Sequence, residues 1–173
     1  MPSPAPRMTL VLGGARSGKS RHAEALIEAR PAPWLYLATA QAYDDEMRER
    51  IAIHRERRSG GWITQDVPLR LPEAVSAARG PVLVDCLTLW LTNLILSEAD
   101  VPAASRALVA ACAEAPGPLV LVGNEVGLGI VPDNALARRF RDEAGRLHQA
   151  LAAAADAVIF MVAGLPMTVK EPR

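Results

Sequence analysis

One eight-residue run in this chain has the residue types and spacing of a phosphate-binding loop. Gly13-Gly14-Ala15-Arg16-Ser17-Gly18-Lys19-Ser20 fits the pattern G-x-x-x-x-G-K-[ST] at every fixed position. The glycines let backbone N–H groups point at a polyphosphate, because no Cβ blocks its approach. Lys19 offers an ammonium group to the outer phosphates, and Ser20 offers an oxygen to Mg²⁺ or another divalent cation. The motif therefore predicts nucleotide binding, against the alternative of a glycine-rich turn that matches by chance.

The rest of the chain alternates strand and helix patterns, which predicts an α/β fold with a mostly parallel sheet and helices on both faces. The predicted strands are Met8–Leu12, Trp34–Ala38, Pro81–Asp85, Pro118–Gly123 and Ala157–Val162. The predicted helices are Ser20–Arg30, Asp44–Arg58, Leu71–Ala78, Leu87–Ser97, Ala103–Ala115 and Asn134–Ala155. The phosphate loop then lies between a buried strand and a helix N-terminus, whose partial positive charge favours anions.

Polar residues follow two of the predicted strands, at the sheet edge where ligands bind in such folds. Asp85 ends an apolar strand, and its carboxylate is predicted to hold the divalent cation. Asn124 and Glu125 follow the next strand. Two interpretations of this pair remain open, a substrate contact and a hydrogen-bonded turn that anchors the loop.

The predicted helix Asp44–Arg58 carries His54 with Arg50, Arg57 and Arg58 three or four residues away. Its acidic start and basic end suit the helix dipole, so a solvated, salt-bridged helix with an incidental histidine is one interpretation. The other is an imidazole kept neutral and nucleophilic because the surrounding guanidinium groups lower its pKa. The residues alone favour the first.

Composition narrows the class of protein. The chain has 173 residues, of which 50% are hydrophobic, and a formal net charge of 0, which argues against disorder and against a general nucleic-acid-binding protein. Residues 8–173 are expected to form a single P-loop nucleotide-binding domain, after a disordered extension at residues 1–7 that contains three prolines. No apolar run reaches membrane-spanning length. Cys86 and Cys112 lack metal-site spacing and are expected to be reduced thiols of a cytoplasmic protein.

From residue 8 to about residue 170 the chain resembles the bifunctional adenosylcobinamide kinase / adenosylcobinamide-phosphate guanylyltransferase family of cobalamin synthesis. The phosphate loop alone is common to many proteins, but the ordered set of motifs is specific. The further motifs are Ala38-Thr39-Ala40, Asp44-Asp45-Glu46-Met47, Arg50-Ile51 with His54, Asp85-Cys86-Leu87-Thr88-Leu89-Trp90, Thr92-Asn93, Asn124-Glu125-Val126-Gly127, Gly129-Ile130-Val131-Pro132, Arg138, Phe140-Arg141-Asp142 and Ala144-Gly145-Arg146.

The resemblance implies a P-loop NTPase fold with a RecA-like sheet, a homotrimer, and two reactions. ATP or GTP first phosphorylates adenosylcobinamide. GTP then transfers GMP to His54, and adenosylcobinamide phosphate takes up that group to give adenosylcobinamide-GDP. This overturns the preference for an incidental histidine.

The resemblance also implies roles for individual residues. His54 and Lys19 are catalytic, and Ser20 and Asp85 hold Mg²⁺. The implied nucleotide-binding residues are Gly13, Gly14, Ala15, Arg16, Ser17, Gly18, Lys19, Ser20, Ala38, Thr39, Ala40, Arg55, Glu56, Arg57, Arg58, Asp66 and Asp85. At Asp66 the family usually has the longer glutamate.

Two other functions remain as alternatives. A P-loop kinase for another small alcohol would use the phosphate loop and Asp85 without a covalent intermediate. A GTPase switch is less well supported, because the chain has no Asn-Lys-x-Asp guanine motif. His22 and His148 are expected to be packing or surface residues, and the arginines of the last long helix are either a solvated face or phosphate contacts.

Overall fold

The computed structural model describes residues 5–41 and 60–171. The predicted helix Asp44–Arg58, which includes His54 and Arg55 to Arg58, lies outside the described residues. The strands are β1 (Met8–Gly13), β2 (Trp34–Ala38), β3 (Trp62–Asp66), β4 (Val82–Asp85), β5 (Leu119–Asn124), β6 (Ala157–Val162) and β7 (Leu165–Lys170). The helices are α1 (Lys19–Glu28), α2 (Leu71–Ala77), α3 (Leu87–Leu96), α4 (Val101–Glu114) and α5 (Ala135–Ala154).

The strands form one sheet in the order β3-β2-β4-β5-β1-β6-β7. Neighbouring strands are parallel from β3 to β6, and β7 pairs antiparallel with β6. The central strands β1, β4 and β5 are apolar runs with almost every residue buried, as expected where helices cover both faces of a parallel sheet. The prediction of a mostly parallel sheet is therefore confirmed.

Helices pack on both faces of the sheet, so the core has two clusters. Leu10 packs with α2 to α5 on one face, and the next residue, Val11, packs with α1 on the other. Trp90 of α3 is completely buried in the larger cluster, and its Nε1 donates to the Leu69 carbonyl at 2.8 Å. Burying a large apolar side chain of this kind contributes roughly 2–3 kcal/mol. Ala23 and Ile27 of the phosphate-loop helix α1 pack with Val11 in the smaller cluster, which holds α1 against the strand that ends at the loop.

Two strands are absent from the sequence-based prediction, and both lie at edges of the sheet. β3 is exposed along most of its length, so it lacks the apolar run that reveals a buried strand. β7 follows a two-residue turn in which Ala163 and Gly164 have φ values of 50° and 81°. Positive φ at both turn positions is typical of a tight hairpin. The glycine, followed by alternating apolar residues, was the signal that could have identified this hairpin.

The five helices of the described residues agree with their predicted counterparts to within about two residues. α4 starts earlier than predicted because Asp100 caps it, accepting a hydrogen bond from the Ala103 N–H at 2.9 Å. Asn134 caps α5 in the same way through the Ala137 N–H at 2.7 Å. Among the helices of residues 5–41 and 60–171, none is both long and apolar enough to cross a membrane.

Candidate active site

The predicted nucleotide-binding segments that the structure describes meet where the parallel strands of the sheet have their carboxyl ends. Gly13 at the end of β1 pairs with Asn124 at the end of β5. Ala38 at the end of β2 pairs with Asp66 on one side and with Asp85 on the other. The structure therefore brings together the phosphate loop, Ala38 to Ala40, Asp66 and Asp85, which are distant in sequence.

Two glycines shape the phosphate loop for different reasons. Gly18 precedes α1 with a φ of 92°, a left-handed conformation that costs glycine little. At Gly13 the reason is space, since a Cβ there would lie 2.6 Å from the Met161 carbonyl oxygen and 2.7 Å from Ser17 Oγ. The loop must therefore pass close to β6 as well as leave room for phosphates.

Backbone hydrogen bonds from both sides hold the phosphate loop. The Glu125 N–H donates to the Gly13 carbonyl at 2.9 Å, and the Gly164 N–H donates to the Ser17 carbonyl at 3.0 Å. A Cβ on Gly18 would lie 3.3 Å from the Cα of Gly164. The hairpin turn between β6 and β7, which was not predicted, is thus part of the loop's support.

Lys19 is almost buried beneath the loop. Lys19 is only 7% exposed, and its Nζ donates a hydrogen bond to the Gly14 carbonyl at 2.6 Å. Burial lowers the pKa of Lys19, and the nearby Cys86 and Asp85 oppose this shift. The ammonium group therefore lies at the phosphate loop, where it can neutralise an outer phosphate. It is also close enough to Asp85 for their charges to interact.

Asp85 is the last residue of β4, and one of its two carboxylate oxygens accepts a hydrogen bond. The Tyr36 hydroxyl donates to Asp85 Oδ2 at 3.0 Å, and the described residues provide no hydrogen bond to Oδ1. The peptide bond between Asp85 and Cys86 is cis.

The residues at this edge fit a magnesium ion. Ser20 and Asp85 supply hard oxygen donors, and the described part of the chain contains no group of three or more His, Cys, Asp or Glu residues that could hold a metal. Magnesium is commonly held by one or two protein oxygens together with substrate phosphates, so a sparse donor set beside a phosphate loop is the expected arrangement.

A buried polar network fixes the backbone after β2. The Thr39 hydroxyl donates to the Cys86 carbonyl at 2.7 Å and accepts from the Cys86 N–H at 2.8 Å. Asn93 of α3 donates to the carbonyls of Thr39 and Pro68 at 2.8 and 2.9 Å. Thr39 and Asn93 both lie among the family motifs, but no role for Asn93 could be predicted from the sequence. The network formed by Thr39, Cys86 and Asn93 joins the ends of β2 and β4 to the segment after β3.

Polar contacts also anchor the end of β5. Asn124 Nδ2 donates to Thr88 Oγ1 at 2.9 Å, and Thr88 lies 3.2 Å from Cys86 Sγ. Burial, assisted by the Asp85 charge, raises the pKa of Cys86 to about 11, so its thiol stays protonated near neutral pH. Cys86 is therefore a packed hydrogen-bonding group and not a nucleophile. For Asn124 the anchoring interpretation has direct structural support.

The remaining residues that the sequence singled out either have structural contacts or lie beyond the described residues. His148 of α5 is buried against Gly123, and burial lowers its pKa although Glu125 opposes the shift. Burial likewise lowers the pKa of His22 on α1. Arg138 donates to the carbonyls of Pro132 and Asp133, which makes it an anchor of the preceding loop. The five consecutive site residues from His54 to Arg58 are not described.

Comparison with solved structures identifies the fold. A protein from Pyrococcus horikoshii superposes with a TM-score of 0.53 at 11% identity, covering 96% of this chain and 87% of the other. An ATPase from the type III secretion system of pathogenic bacteria superposes with a TM-score of 0.54 at 12% identity, covering 94% and 56%. At such identities only the fold is shared. Together with the phosphate loop between β1 and α1, it is a P-loop, RecA-like α/β fold, as predicted.

Sequence comparison identifies the family. The profile described as "Cobinamide kinase / cobinamide phosphate guanyltransferase" matches residues 9–169. The bifunctional adenosylcobalamin biosynthesis protein CobP of Pseudomonas aeruginosa is 51% identical over 169 residues, covering 94% of this chain and 98% of the relative. The CobU proteins of Salmonella typhimurium and Escherichia coli are 46% and 45% identical, each covering 94% of this chain and 99% of the relative. The chain therefore belongs to the cobinamide kinase / cobinamide phosphate guanyltransferase family.

Proposed function

We propose that this chain is a bifunctional enzyme of cobalamin biosynthesis, which phosphorylates adenosylcobinamide and then transfers GMP from GTP to the product through a covalent His54-guanylyl intermediate. One observation carries the proposal. An intact phosphate loop and Asp85 meet at one sheet edge in a chain that matches the family over residues 9–169.

The kinase step needs charge neutralisation and alignment more than covalent help from the protein. A hydroxyl oxygen of adenosylcobinamide attacks the γ-phosphorus of ATP or GTP, the bond to the bridging β,γ-oxygen breaks, and the hydroxyl proton is lost. The N–H groups of the loop and the Lys19 ammonium bind the phosphates. Asp85 and Ser20 would hold Mg²⁺, which when bound neutralises charge on the β- and γ-phosphates.

The guanylyl step needs a nucleophile for the α-phosphorus, and His54 is proposed for it. A neutral imidazole nitrogen attacks, and pyrophosphate leaves. A phosphate oxygen of adenosylcobinamide phosphate then attacks the same phosphorus. The P–N bond breaks, which frees the histidine and yields adenosylcobinamide-GDP. Arg55, Glu56, Arg57 and Arg58 are proposed to contact the nucleotide beside it.

A homotrimer with the active site near a subunit boundary is also proposed, and exposed apolar residues support it. Leu128, Ile130 and Val131 are 82%, 97% and 61% exposed, in the loop that begins beside the phosphate loop at Glu125. Val162, Leu165, Met167 and Val169 form a second exposed apolar strip along the β6–β7 hairpin. Exposed apolar groups gathered on two neighbouring segments are typical of an interaction surface.

The proposal further treats residues 8–173 as one nucleotide-binding domain of a cytoplasmic enzyme. One sheet includes strands from Met8 to Lys170, which supports the first part. Cys86 and Cys112 are buried free thiols, and unpaired cysteines are typical of a reducing compartment, which supports the second.

The function can be tested by incubating the protein with GTP that is labelled at either the α- or the γ-phosphate. The incubations are run with and without adenosylcobinamide. The proposal predicts α-label on the protein without corrinoid, and its transfer to corrinoid when adenosylcobinamide phosphate is added. γ-Label found only on a small alcohol, with no protein label, would favour the simple kinase. Release of phosphate alone would favour a GTPase and contradict both.

A further inference from the structure

We propose that Tyr36 is a positioning residue for Asp85, an inference that rests on the metal role given to Asp85 in the proposed function. The Tyr36 hydroxyl donates a hydrogen bond to Asp85 Oδ2 at 3.0 Å. Tyr36 is only 5% exposed and the bond is partly buried, which limits competition from water. Tyr36 lies outside the phosphate loop and outside the quoted family motifs.

The sheet register explains why a tyrosine suits this position. On the parallel pair β2 and β4, Tyr36 lies opposite Leu83, and Ala38 lies opposite Asp85. Tyr36 and Asp85 are therefore diagonal neighbours on one face, and the long tyrosine side chain reaches the carboxylate. The small side chain of Ala38 leaves space beside the carboxylate. A phenylalanine would fill the same volume as Tyr36 but could not donate the hydrogen bond.

Neighbouring aromatic packing fixes where the hydroxyl lies. The Tyr36 ring meets the Trp62 ring edge-on, with ring centroids 5.9 Å apart and planes at 79°. Trp62 is held in turn by two contacts. Its Nε1 donates a hydrogen bond to Glu28 Oε1 at 2.9 Å, and its ring packs on the Trp34 ring with centroids 5.5 Å apart. Contacts from β2, β3 and α1 thus hold the donor in place before any ligand binds.

The hydrogen bond sets the orientation of the Asp85 carboxylate. With Oδ2 accepting from Tyr36, Oδ1 is the oxygen without a donor among the described residues. Lys19 lies close enough for its charge to interact with Asp85, yet its Nζ donates to the Gly14 carbonyl. A carboxylate released from Tyr36 could turn toward that ammonium group. Tyr36 therefore keeps one Asp85 oxygen for the metal ion and leaves Lys19 for phosphate.

A double-mutant cycle on metal binding tests this inference. Tyr36→Phe, Asp85→Asn and the double variant are compared by Mn²⁺ electron paramagnetic resonance, with saturating non-hydrolysable ATP analogue. Tyr36→Phe should weaken Mn²⁺ binding by about 10-fold or more, the usual effect of losing a partner that orients a metal ligand. It should add nothing in the Asp85→Asn background, because it acts through that carboxylate. Binding of the analogue without metal should not change.

A control variant separates this role from general damage to the fold. Trp90→Phe trims a buried ring in the core cluster on the other face of the sheet and should keep the wild-type Mn²⁺ affinity. Wild-type affinity in Tyr36→Phe, or an equal loss in both backgrounds, would overturn the role of Tyr36. Wild-type affinity in Asp85→Asn would overturn the metal assignment itself. Guanylylation of His54 does not enter the measurement, so the covalent part of the proposed function is tested separately.

Discussion

At the scale of residues, Lys19 combines burial with an opposing charge. Burial lowers its pKa, and a neighbouring carboxylate helps to keep the side chain protonated. The Gly14 carbonyl holds the ammonium group while exerting only part of the attraction that a phosphate would. The side chain is therefore arranged so that a polyphosphate can replace a weaker partner.

Lys19→Ala should fold and lose nucleotide turnover. Removing a positioned cation from a phosphoryl-transfer site costs about 100-fold or more in rate. The other lysine, Lys170, is a matched control, since its Nζ donates to carbonyls at the end of α5. Lys170→Ala should lower the free energy of unfolding by about 1 kcal/mol and leave the turnover of folded protein intact. Steady-state kinase assays and urea unfolding measure both effects, and near-normal turnover in Lys19→Ala would remove it from the site.

The residues of the phosphate loop could be predicted because their chemistry is local in sequence. The polar partners could not. The Tyr36–Asp85 bond and the bonds from Asn93 to Thr39 and Pro68 depend on strand register and on residues dozens of positions apart. The apolar run before Asp85 predicts that this residue ends a strand, but nothing near it in sequence indicates which side chain of the neighbouring strand reaches it.

At the scale of elements, the contact between α5 and β5 couples the site edge to the fold. His148 lies so close to β5 that a Cβ on Gly123 would be 2.7 Å from its Nε2. Nε2 has no hydrogen-bond partner among the described residues, and burial lowers the pKa of His148. Protonating this ring would bury a positive charge that Glu125 offsets only in part, and folding therefore favours the neutral form.

The free energy of unfolding should consequently fall in mild acid. A histidine whose folded pKa is lowered contributes stability above its unfolded pKa of about 6.5, and this stability is lost as pH falls below that value. Urea unfolding at pH 7.5 and 5.5 should show a smaller loss for His148→Leu than for the wild type. His22 and the carboxylates other than Glu125, which interacts with His148, are unaltered in the variant, so their contributions cancel in the difference. Equal losses would show that His148 does not carry the effect.

The elements that could be predicted are those buried on both sides. Strands β1, β4 and β5 are apolar runs, and their bounds agree with prediction to within about one residue. β3 and β7 were missed because edge strands have no second neighbour to bury them, so their sequences carry polar residues or proline. The loop between β6 and β7 nevertheless supports the phosphate loop.

At the scale of the whole molecule, the two exposed apolar segments flank the phosphate loop. One begins at Glu125, which donates to Gly13, and the other begins at the hairpin turn whose Gly164 donates to Ser17. Subunit contacts through both segments would place an assembly boundary beside the bound nucleotide. An assembled site would also offer more surface to a corrinoid than one small domain can.

Light scattering should therefore give the mass of a trimer. Ile130→Asp should lower that mass and weaken guanylylation, because a charge replaces an apolar group that is 97% exposed in the isolated chain. Leu96→Asp is the control, since Leu96 is 58% exposed at the end of α3, which leads away from the active-site edge. A wild-type monomer with full activity would contradict the trimer proposal.

His54 is proposed to carry the guanylyl group, and incubation with GTP that carries a labelled α-phosphate tests this role. Wild-type protein, His22→Ala and His148→Ala should all take up label that is stable in base and lost in acid, as a phosphoramidate is. His54→Ala should take up none, although phosphorylation of adenosylcobinamide can persist through Lys19 and Asp85. Acid-labile label on folded His54→Ala would show that the nucleophile lies elsewhere and would contradict the mechanism.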